Sequence, residues 1–146
     1  MKEIDLSRGL VKELRTGICL PNSVVFKHTD AYTSGVLDIS VTWLRHTSWL
    51  EAKVARGGKV EGRGIQHQTA IKLAAVSDCW YVIYEFKEKQ RNTHIVHPLK
   101  IFPDGTWDPT EIFPGLNHQA VATFVSKRHS SLWDRSACQY CGRDPR

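Results

Sequence analysis

The sequence predicts an α/β domain with a mixed central β-sheet flanked by helices, and three observations support this fold class. Helical and strand patterns alternate in the order α-β-β-β-α-β over the first 86 residues. The segment WYVIYEF at 80–86 is almost continuously apolar, as is typical of a central strand covered on both faces. The chain has 146 residues, the usual size of one domain with a sizeable core. We therefore treat 1–146 as a single domain.

The first predicted element is a helix over residues 5–15. Apolar residues recur there at helical spacing, and Gly17 ends the pattern. A short run of β-branched and aromatic residues predicts a strand at 23–28. The polar segment 29–35, which closes on a glycine, predicts a loop.

The next elements form a predicted hairpin. Apolar and polar residues alternate over 37–43, which is the periodicity of a half-buried strand. A turn at 45–47 then leads into a second strand at 48–54. The segment 54–64 is rich in glycine and basic residues and lacks periodicity, so it predicts a loop.

The second half of the chain begins with a predicted helix over 66–77, which leads into the apolar strand at 80–86. Beyond it, the pattern predicts a strand at 93–102, a loop at 103–115 and a helix at 117–127.

The bulk composition favours a polyanionic partner. The formal net charge is +5 and the isoelectric point is about 9.1, which points to nucleic acid first and a membrane surface second. No apolar run has the length of a membrane span, and the start MKEIDLSRGL lacks a signal-peptide core. We therefore expect a cytoplasmic protein with no membrane partner, whose four scattered cysteines are reduced.

The predicted hairpin brings charged residues together. Residues whose numbers sum to about 90 face each other across it, so Asp38 lies opposite Glu51 or Lys53. Glu51 and Lys53 are two residues apart and share a face. Asp38, Glu51 and the Ala52 carbonyl offer oxygen ligands for Mg²⁺. A bound metal lowers the pKa of a water ligand, and a lysine orients that water and stabilises charge on a phosphate.

Two observations limit this hypothesis. The same three charges also fit a surface hairpin with cross-strand ion pairs, and spacing alone leaves both interpretations open. A second Glu-x-Lys triplet, Glu85-Phe86-Lys87, has Asp78 as its nearest acidic partner. Seven residues along one strand separate their side chains by roughly 23 Å, so they cannot share a metal.

Three further residues extend the candidate site. Glu13 borders the apolar stripe of the first helix and is predicted to lean inward. Gln66 and Gln68 open the second helix, where a glutamine can bind an attacking water or a phosphate. Gln68 shares a helical face with Ile71 and Ala75, so we expect it to point to the sheet and rank Gln66 second.

Together these residues resemble the PD-(D/E)xK nuclease superfamily, and most closely its VRR-NUC (virus-type replication-repair nuclease) and Holliday junction resolvase-like members. The family pattern is a helical Glu, a strand with a lysine, Gly-x-Pro-Asp, Glu-x-Lys, a Gly-rich segment and a helical Gln. The matching positions here are Glu13, Lys27, Gly35-Val36-Leu37-Asp38, Glu51-Ala52-Lys53, Arg56-Gly57-Gly58-Lys59 and Gln68.

The resemblance covers residues 5–86, and 87–146 have no recognised counterpart. Two departures matter. Leu37 replaces the usual proline, and the stretch from Lys53 to Gln68 is longer than the family norm.

The resemblance implies a restriction-endonuclease-like core and a Mg²⁺- or Mn²⁺-dependent DNA endonuclease. Small stand-alone relatives tend to be structure-selective endonucleases, and those that resolve junctions are homodimers with two active sites on opposing strands. It also implies metal ligation by Asp38 and Glu51 with Glu13 as an auxiliary ligand, and catalytic roles for Lys53 and Gln68. The alternative is a nuclease-fold module that binds DNA or protein without cutting it.

Other candidate contacts are weaker. Arg56, Lys59 and Arg63 of the Gly-rich loop are predicted to bind DNA phosphates, together with Lys27 and Gln66. The other interpretation of the loop is a solvated connection.

The C-terminal pair Cys138 and Cys141 has the spacing of half a zinc site. His118 or His129 would have to complete it. Two free thiols are the favoured interpretation, and a zinc ion shared by two chains is the minor one.

Overall fold

The computed structural model describes residues 2–28, 37–60 and 65–140, except for the side chains of Ile65 and of 135–140. These described residues form three helices and seven strands, with a short 3₁₀ helix at Pro98–Lys100. The helices are α1 (Glu3–Thr16), α2 (Ile65–Val76) and α3 (His118–Tyr140), and the strands are β1 (Val24–Lys27), β2 (Ile39–Trp43), β3 (His46–Arg56), β4 (Lys59–Val60), β5 (Asp78–Lys87), β6 (Gln90–Val96) and β7 (Glu111–Pro114).

The strands form one mixed sheet in the order β1-β2-β3-β5-β6-β7, with β4 also paired to β3. Among the described strands, β3 and β5 pair in parallel and the other pairs are antiparallel. A parallel pair needs a crossover connection, which α2 supplies between β4 and β5. The predicted α/β fold with a mixed central sheet and flanking helices is confirmed.

Two apolar cores lie on opposite faces of this sheet. Helices α1 and α3 pack on one face, where Leu50 and Ala52 of β3 join the first core. Helix α2 and the 3₁₀ helix pack on the other face, where Ala55 joins the second core. Side chains alternate along a strand, so Glu51 and Lys53 lie on the α2 face with Ala55.

The predicted glycine-rich loop at 54–64 is wrong as far as residue 60. Strand β3 continues to Arg56, turns through Gly57 and Gly58, and returns as β4. The two glycines have φ of 64° and 74°, the left-handed geometry of a two-residue hairpin turn. Residues 61–64 lie outside the described part, as does the loop predicted at 29–35.

The C-terminal predictions need correction. Strand β6 ends at Val96 rather than at residue 102, and the loop predicted at 103–115 contains the edge strand β7. The helix predicted at 117–127 extends to Tyr140, because its buried stripe continues beyond residue 127. That stripe repeats every four residues, at Val121, Val125, His129 and Trp133.

Within the described residues, no helix combines the length and the apolarity that crossing a membrane requires.

The Gly57-Gly58 turn generates the first prediction. Replacing Gly58 with alanine should lower the free energy of unfolding by about 1 kcal/mol, because an L-residue in the left-handed region costs ~1–2 kcal/mol. Beyond its two chain neighbours, no atom of the described residues lies within 4 Å of the added Cβ, so the effect isolates backbone strain. Urea unfolding measures it.

The matched control is Gly58→Asn, because asparagine tolerates the left-handed region. It should cost less than the alanine variant. Equal losses in the two variants would contradict this explanation.

Candidate active site

The hairpin register places Asp38 directly opposite Glu51. Ile39 pairs with Leu50, so Asp38 faces Glu51 at the next position away from the hairpin turn. The His28 amide donates to the Asp38 carbonyl at 2.6 Å, so the peptide groups of Asp38 point to β1. No backbone hydrogen bonds then connect Asp38 and Glu51, and such pairs bring side chains closest. The predicted cross-strand meeting is confirmed, with Glu51 rather than Lys53 as the partner.

Glu51 is almost fully buried, at 1% exposure. Burial, followed by the charge and the hydrogen bond of Asp38, raises the pKa of Glu51 to about 9, and the nearby Lys53 cation only partly opposes this. At neutral pH Glu51 therefore carries a proton that it donates to Asp38. Its Oε2 atom is buried without a hydrogen-bond partner among the described residues. The pair is a closely coupled acid pair in a low-dielectric setting.

A third carboxylate, Glu3, reaches this place from the start of α1. Its Oε1 lies 4.0 Å from the Lys53 ammonium, and its Oε2 accepts a hydrogen bond from the Val54 amide at 3.2 Å. Val54 lies in the part of β3 between Leu50, the last residue paired with β2, and Ala55, the first residue paired with β4. Glu3 thus satisfies an open stretch of strand edge, and its charge also raises the pKa of Glu51.

The Ala52 carbonyl points to the same open edge. In a strand the N–H and C=O of one residue point the same way, and residues two apart share that direction. Because the Val54 amide points to Glu3, the Ala52 carbonyl lies on the edge where Asp38 precedes β2. The side chain of Ala52 is buried in the first core. This arrangement fits the predicted use of its carbonyl oxygen.

Glu13 lies elsewhere. It follows Glu3 by ten residues of helix, about 15 Å at ~1.5 Å per residue. A Cβ built on Gly17 would lie 3.0 Å from the Glu13 Oε1, and its charge acts on His118 of α3. The helical carboxylate that the structure brings to Asp38 and Glu51 is therefore Glu3, and the sequence-based choice of Glu13 is corrected.

The predicted orientation of α2 is also wrong. Gln68 and Ile71 are exposed, and Ala70 is buried against the sheet. Gln66, ranked second from the sequence, is half-buried on the sheet-facing side. Alanine occurs on both faces of this helix, buried at Ala70 and exposed at Ala75, so the sequence did not define a single apolar stripe.

Sequence reasoning missed His67 on α2. It is 6% exposed, and its Nδ1 lies 3.0 Å from the Tyr81 hydroxyl. Tyr81 is the parallel neighbour of Glu51 in β5. His67, Ala70 and Ala74 have the i, i+3, i+7 spacing of one helical face. This spacing predicts a buried His67 if a histidine is accepted on the buried stripe.

The predicted phosphate-binding residues gather partly at the β3–β4 turn. Arg56 stacks 4.7 Å above the Phe86 ring, and Arg91 stacks on the same ring at 4.6 Å. Lys59 is exposed beside them. Arg56 and Lys59 line a hollow of about 270 Å³ together with Glu3. Arg56 and Lys59 therefore border Glu3 at the edge of the site. Side chains alternate along β3, so Arg56 and the Phe86 ring lie on the α1 face, opposite Glu51, and Arg91 is a basic residue on that face that the sequence did not suggest.

Two other predicted contacts are not part of this group. Lys27 pairs with Ile39, whose side chain is in the first core, so Lys27 lies on the face opposite Glu51. Arg63 lies outside the described residues.

The zinc hypothesis gains no third ligand from the described residues. Cys141 lies outside them, and the side chain of Cys138 is not described. His118 is bonded to the Tyr84 hydroxyl at 2.9 Å, and His129 is fully buried. Among the described residues, no three His, Cys, Asp or Glu side chains form a group placed to hold a metal.

The second Glu-x-Lys triplet lacks an acid pair, as predicted. Asp78 and Glu85 lie on the single strand β5. Asp78 accepts hydrogen bonds from Ser48 at 2.9 Å and Arg128 at 2.8 Å, whereas Glu85 contacts His94 at 3.1 Å. Only the first triplet faces a carboxylate across a hairpin.

No protein-family model matches the chain, and no curated protein matches it. The fold and the site define an α/β protein whose mixed sheet carries an acid pair, with Glu51 buried and Asp38 half-buried, beside a lysine. Its function must be inferred from that geometry.

The acid pair generates the second prediction. The Glu51 pKa is about 9 in the folded protein against an ordinary 4.5, so the folded state binds the extra proton. The stabilisation from that proton is full below about pH 4.5 and is lost as pH rises through about 9. Without metal, Glu51→Gln should raise the thermal midpoint at pH 8 by ~3 °C or more, since ~1 kcal/mol corresponds to ~2–4 °C.

The difference from the wild type should shrink toward pH 5. Glu111→Gln on the exposed edge strand β7 is the control and should change the midpoint little at either pH. A Glu51→Gln midpoint below that of the wild type at pH 8 would contradict the raised pKa.

Proposed function

We propose that the protein is a Mg²⁺- or Mn²⁺-dependent DNA endonuclease with a restriction-endonuclease-like core, which hydrolyses phosphodiester bonds in branched or junction DNA. The pair of half-buried Asp38 and buried Glu51, with Lys53 on the same face of β3, is the observation that carries this proposal. A purely electrostatic surface hairpin would leave both acids exposed and ionised, and here Glu51 is buried and protonated.

The donor set fits a hard divalent cation. Asp38, Glu51 and the Ala52 carbonyl would hold the metal through oxygen atoms, and Glu3 would take the auxiliary position through water. The partnerless buried Oε2 of Glu51 supports this assignment, because a cation would satisfy it and displace the proton. When bound, the metal would lower the pKa of a water and offset charge on the scissile phosphate.

Lys53 supplies a positioned cation. Its side chain is only 12% exposed and is held near Glu3. Because Lys53 shares a face with Glu51, its ammonium can hold the attacking water or the phosphate oxygen where negative charge develops. The half-buried Gln66 at the start of α2 replaces Gln68 as the candidate polar contact for the strand.

The charge distribution supports DNA as the partner. The chain carries a net +5, Arg56 and Lys59 lie beside Glu3 at the edge of the site, and Arg91 stacks on the same ring as Arg56. We expect Lys27 and Arg63 to add further contacts. A chain of 146 residues presents limited surface to a duplex, so we propose a homodimer with one site for each strand. It would act in the cytoplasm or, for a viral protein, inside the host cell.

A second candidate is a nuclease-fold module that binds DNA or protein without cutting it. The described residues offer two close carboxylates rather than a group of three metal-ligating side chains, which favours this alternative. Leu37, which replaces the family proline, is 1% exposed and belongs to the second core. Its packing role leaves the position of Asp38 intact, so this departure does not decide between the two candidates.

The third prediction concerns cleavage. On branched, nicked or single-stranded DNA with Mg²⁺ or Mn²⁺, Asp38→Asn and Lys53→Met should each lower the rate at least ~100-fold, because each removes a group that stabilises the transition state. A gel assay under single-turnover conditions measures it.

The second Glu-x-Lys triplet provides the matched control. Lys87→Met removes the equivalent lysine there and should cleave like the wild type. Full cleavage by Asp38→Asn, or equal losses in Lys53→Met and Lys87→Met, would reject the assigned site.

The fourth prediction concerns the metal itself. Calorimetric titration with Mn²⁺ at pH 7.5, in two buffers of different ionisation enthalpy, should show binding with release of about one proton, since the metal replaces the proton on Glu51. Asp38→Asn should abolish binding, and Glu3→Gln should weaken it.

Glu13→Gln on the same helix is the matched control and should bind as the wild type does. A weaker affinity in Glu13→Gln than in Glu3→Gln would restore the original assignment. A folded wild-type protein with neither a metal signal nor cleavage would favour the binding module.

A further inference from the structure

The acid pair is one end of a regular grid of side chains on the α2 face of strands β1, β2 and β3. Cross-strand partners in an antiparallel sheet point to the same face, so the register defines rows. The register gives two rows directly. A further row follows when the β1–β2 and β2–β3 pairings are extended by one residue beyond Ile39. The rows are His28, Asp38 and Glu51, then Phe26, Ser40 and Trp49, then Val24, Thr42 and Thr47.

Side-chain contacts agree with this grid. The His28 Nε2 lies 2.8 Å from the Ser40 hydroxyl, and the hydroxyls of Thr42 and Thr47 are 2.9 Å apart. The rings of Phe26, His28 and Trp49 form a chain of contacts, with centroids 6.3 Å and 5.4 Å apart. We call Phe26, His28 and Trp49 the aromatic strip. It begins in the row of the acid pair.

The aromatic strip is accessible. Phe26 is 58% exposed and its neighbour Val24 is 49% exposed, whereas Trp49 and His28 are half-buried. Helix α2 packs on β5 and the 3₁₀ helix, on the other side of β3. An exposed phenylalanine next to two further rings and a buried acid pair is an arrangement typical of a binding surface.

We propose that the aromatic strip stacks on an unpaired base next to the scissile phosphate, so that the DNA strand to be cut is single-stranded at that nucleotide. This inference rests on the proposed nuclease function for its orientation relative to the cut. Bases in a duplex are covered by their neighbours, and only an unpaired base can offer its face to a ring. Rows on one face are ~7 Å apart, within reach of the adjacent nucleotide.

Two observations favour a DNA strand over a second copy of the chain on this face. The strip continues without a break into the acid pair, where the proposed reaction takes place. The neighbouring hydroxyls of Ser40, Thr42 and Thr47 suit a sugar–phosphate chain, and the net charge of +5 opposes the approach of an identical chain.

The test uses Phe26→Ser, which should fold because the ring is largely exposed. With Ca²⁺ in place of the catalytic metal, an oligothymidine should quench the tryptophan fluorescence of the wild-type protein saturably. Phe26→Ser should weaken this binding roughly tenfold, the loss expected for one stacked base. Affinity for a blunt duplex of the same sequence should stay within twofold, and Trp49→Phe should remove part of the quenching.

Ile112→Ser is the matched control. Ile112 is 55% exposed on the edge strand β7, at the other side of the sheet, and its loss should leave oligothymidine binding unchanged. Wild-type affinity in Phe26→Ser, or equal losses in the two variants, overturns the stacking proposal whatever the cleavage assay shows. Sedimentation that shows a dimer dissociated by Phe26→Ser, with oligothymidine affinity unchanged, overturns it in favour of a second copy.

The outcomes separate this inference from the proposed function. If Phe26→Ser loses single-strand binding while the wild type cleaves no DNA with any metal, the strip is supported and the nuclease fails. If the wild type cleaves but Phe26→Ser binds single strands normally, the nuclease stands and the strip is rejected.

Discussion

Glu51 keeps its proton at neutral pH because two carboxylates meet across a hairpin at a pair without backbone hydrogen bonds. The side chains are forced close, and burial removes the water that would otherwise solvate both charges. Lys53 offsets this only in part. The site is therefore held in an unfavourable electrostatic state by the packing of two cores on either side of β3. A bound cation would offset the repulsion between the two carboxylates, which is why the pair indicates a metal site.

Strand β3 has the topology that such a site needs. It pairs with β2 along its first half and with β4 at its end, and β5 lies parallel along its other side. Between β2 and β4 a short stretch of edge has no strand partner among the described residues, and Glu3 from α1 occupies it through the Val54 amide. Because β2 does not extend this far, the Ala52 carbonyl points to an open edge, and α1 on the first-core face can contribute a carboxylate there. The gap in the sheet and the third acid are consequences of the same geometry.

The parts of the site that local periodicity determines were predictable. Alternation placed Asp38 across from Glu51, and distance along β5 excluded the second triplet. The errors lie where tertiary packing decides. Glu3 precedes the predicted start of α1 at residue 5, and its importance depends on an open strand edge that no local pattern reveals. Helix α2 has apolar residues on both sides, so only its contact with Tyr81 shows that His67 rather than Gln68 faces the sheet.

The charges imply an order of binding in the proposed nuclease. Without metal, the acid pair and Glu3 repel a phosphate locally, although the chain as a whole attracts DNA. Stacking on Phe26 depends little on that repulsion, because the base rather than the phosphate makes the contact. A strand can therefore rest on the aromatic strip while Glu51 is still protonated. A metal held by Asp38 and Glu51 would displace the Glu51 proton, and metal and phosphate would then stabilise each other, since each supplies the charge that the other lacks.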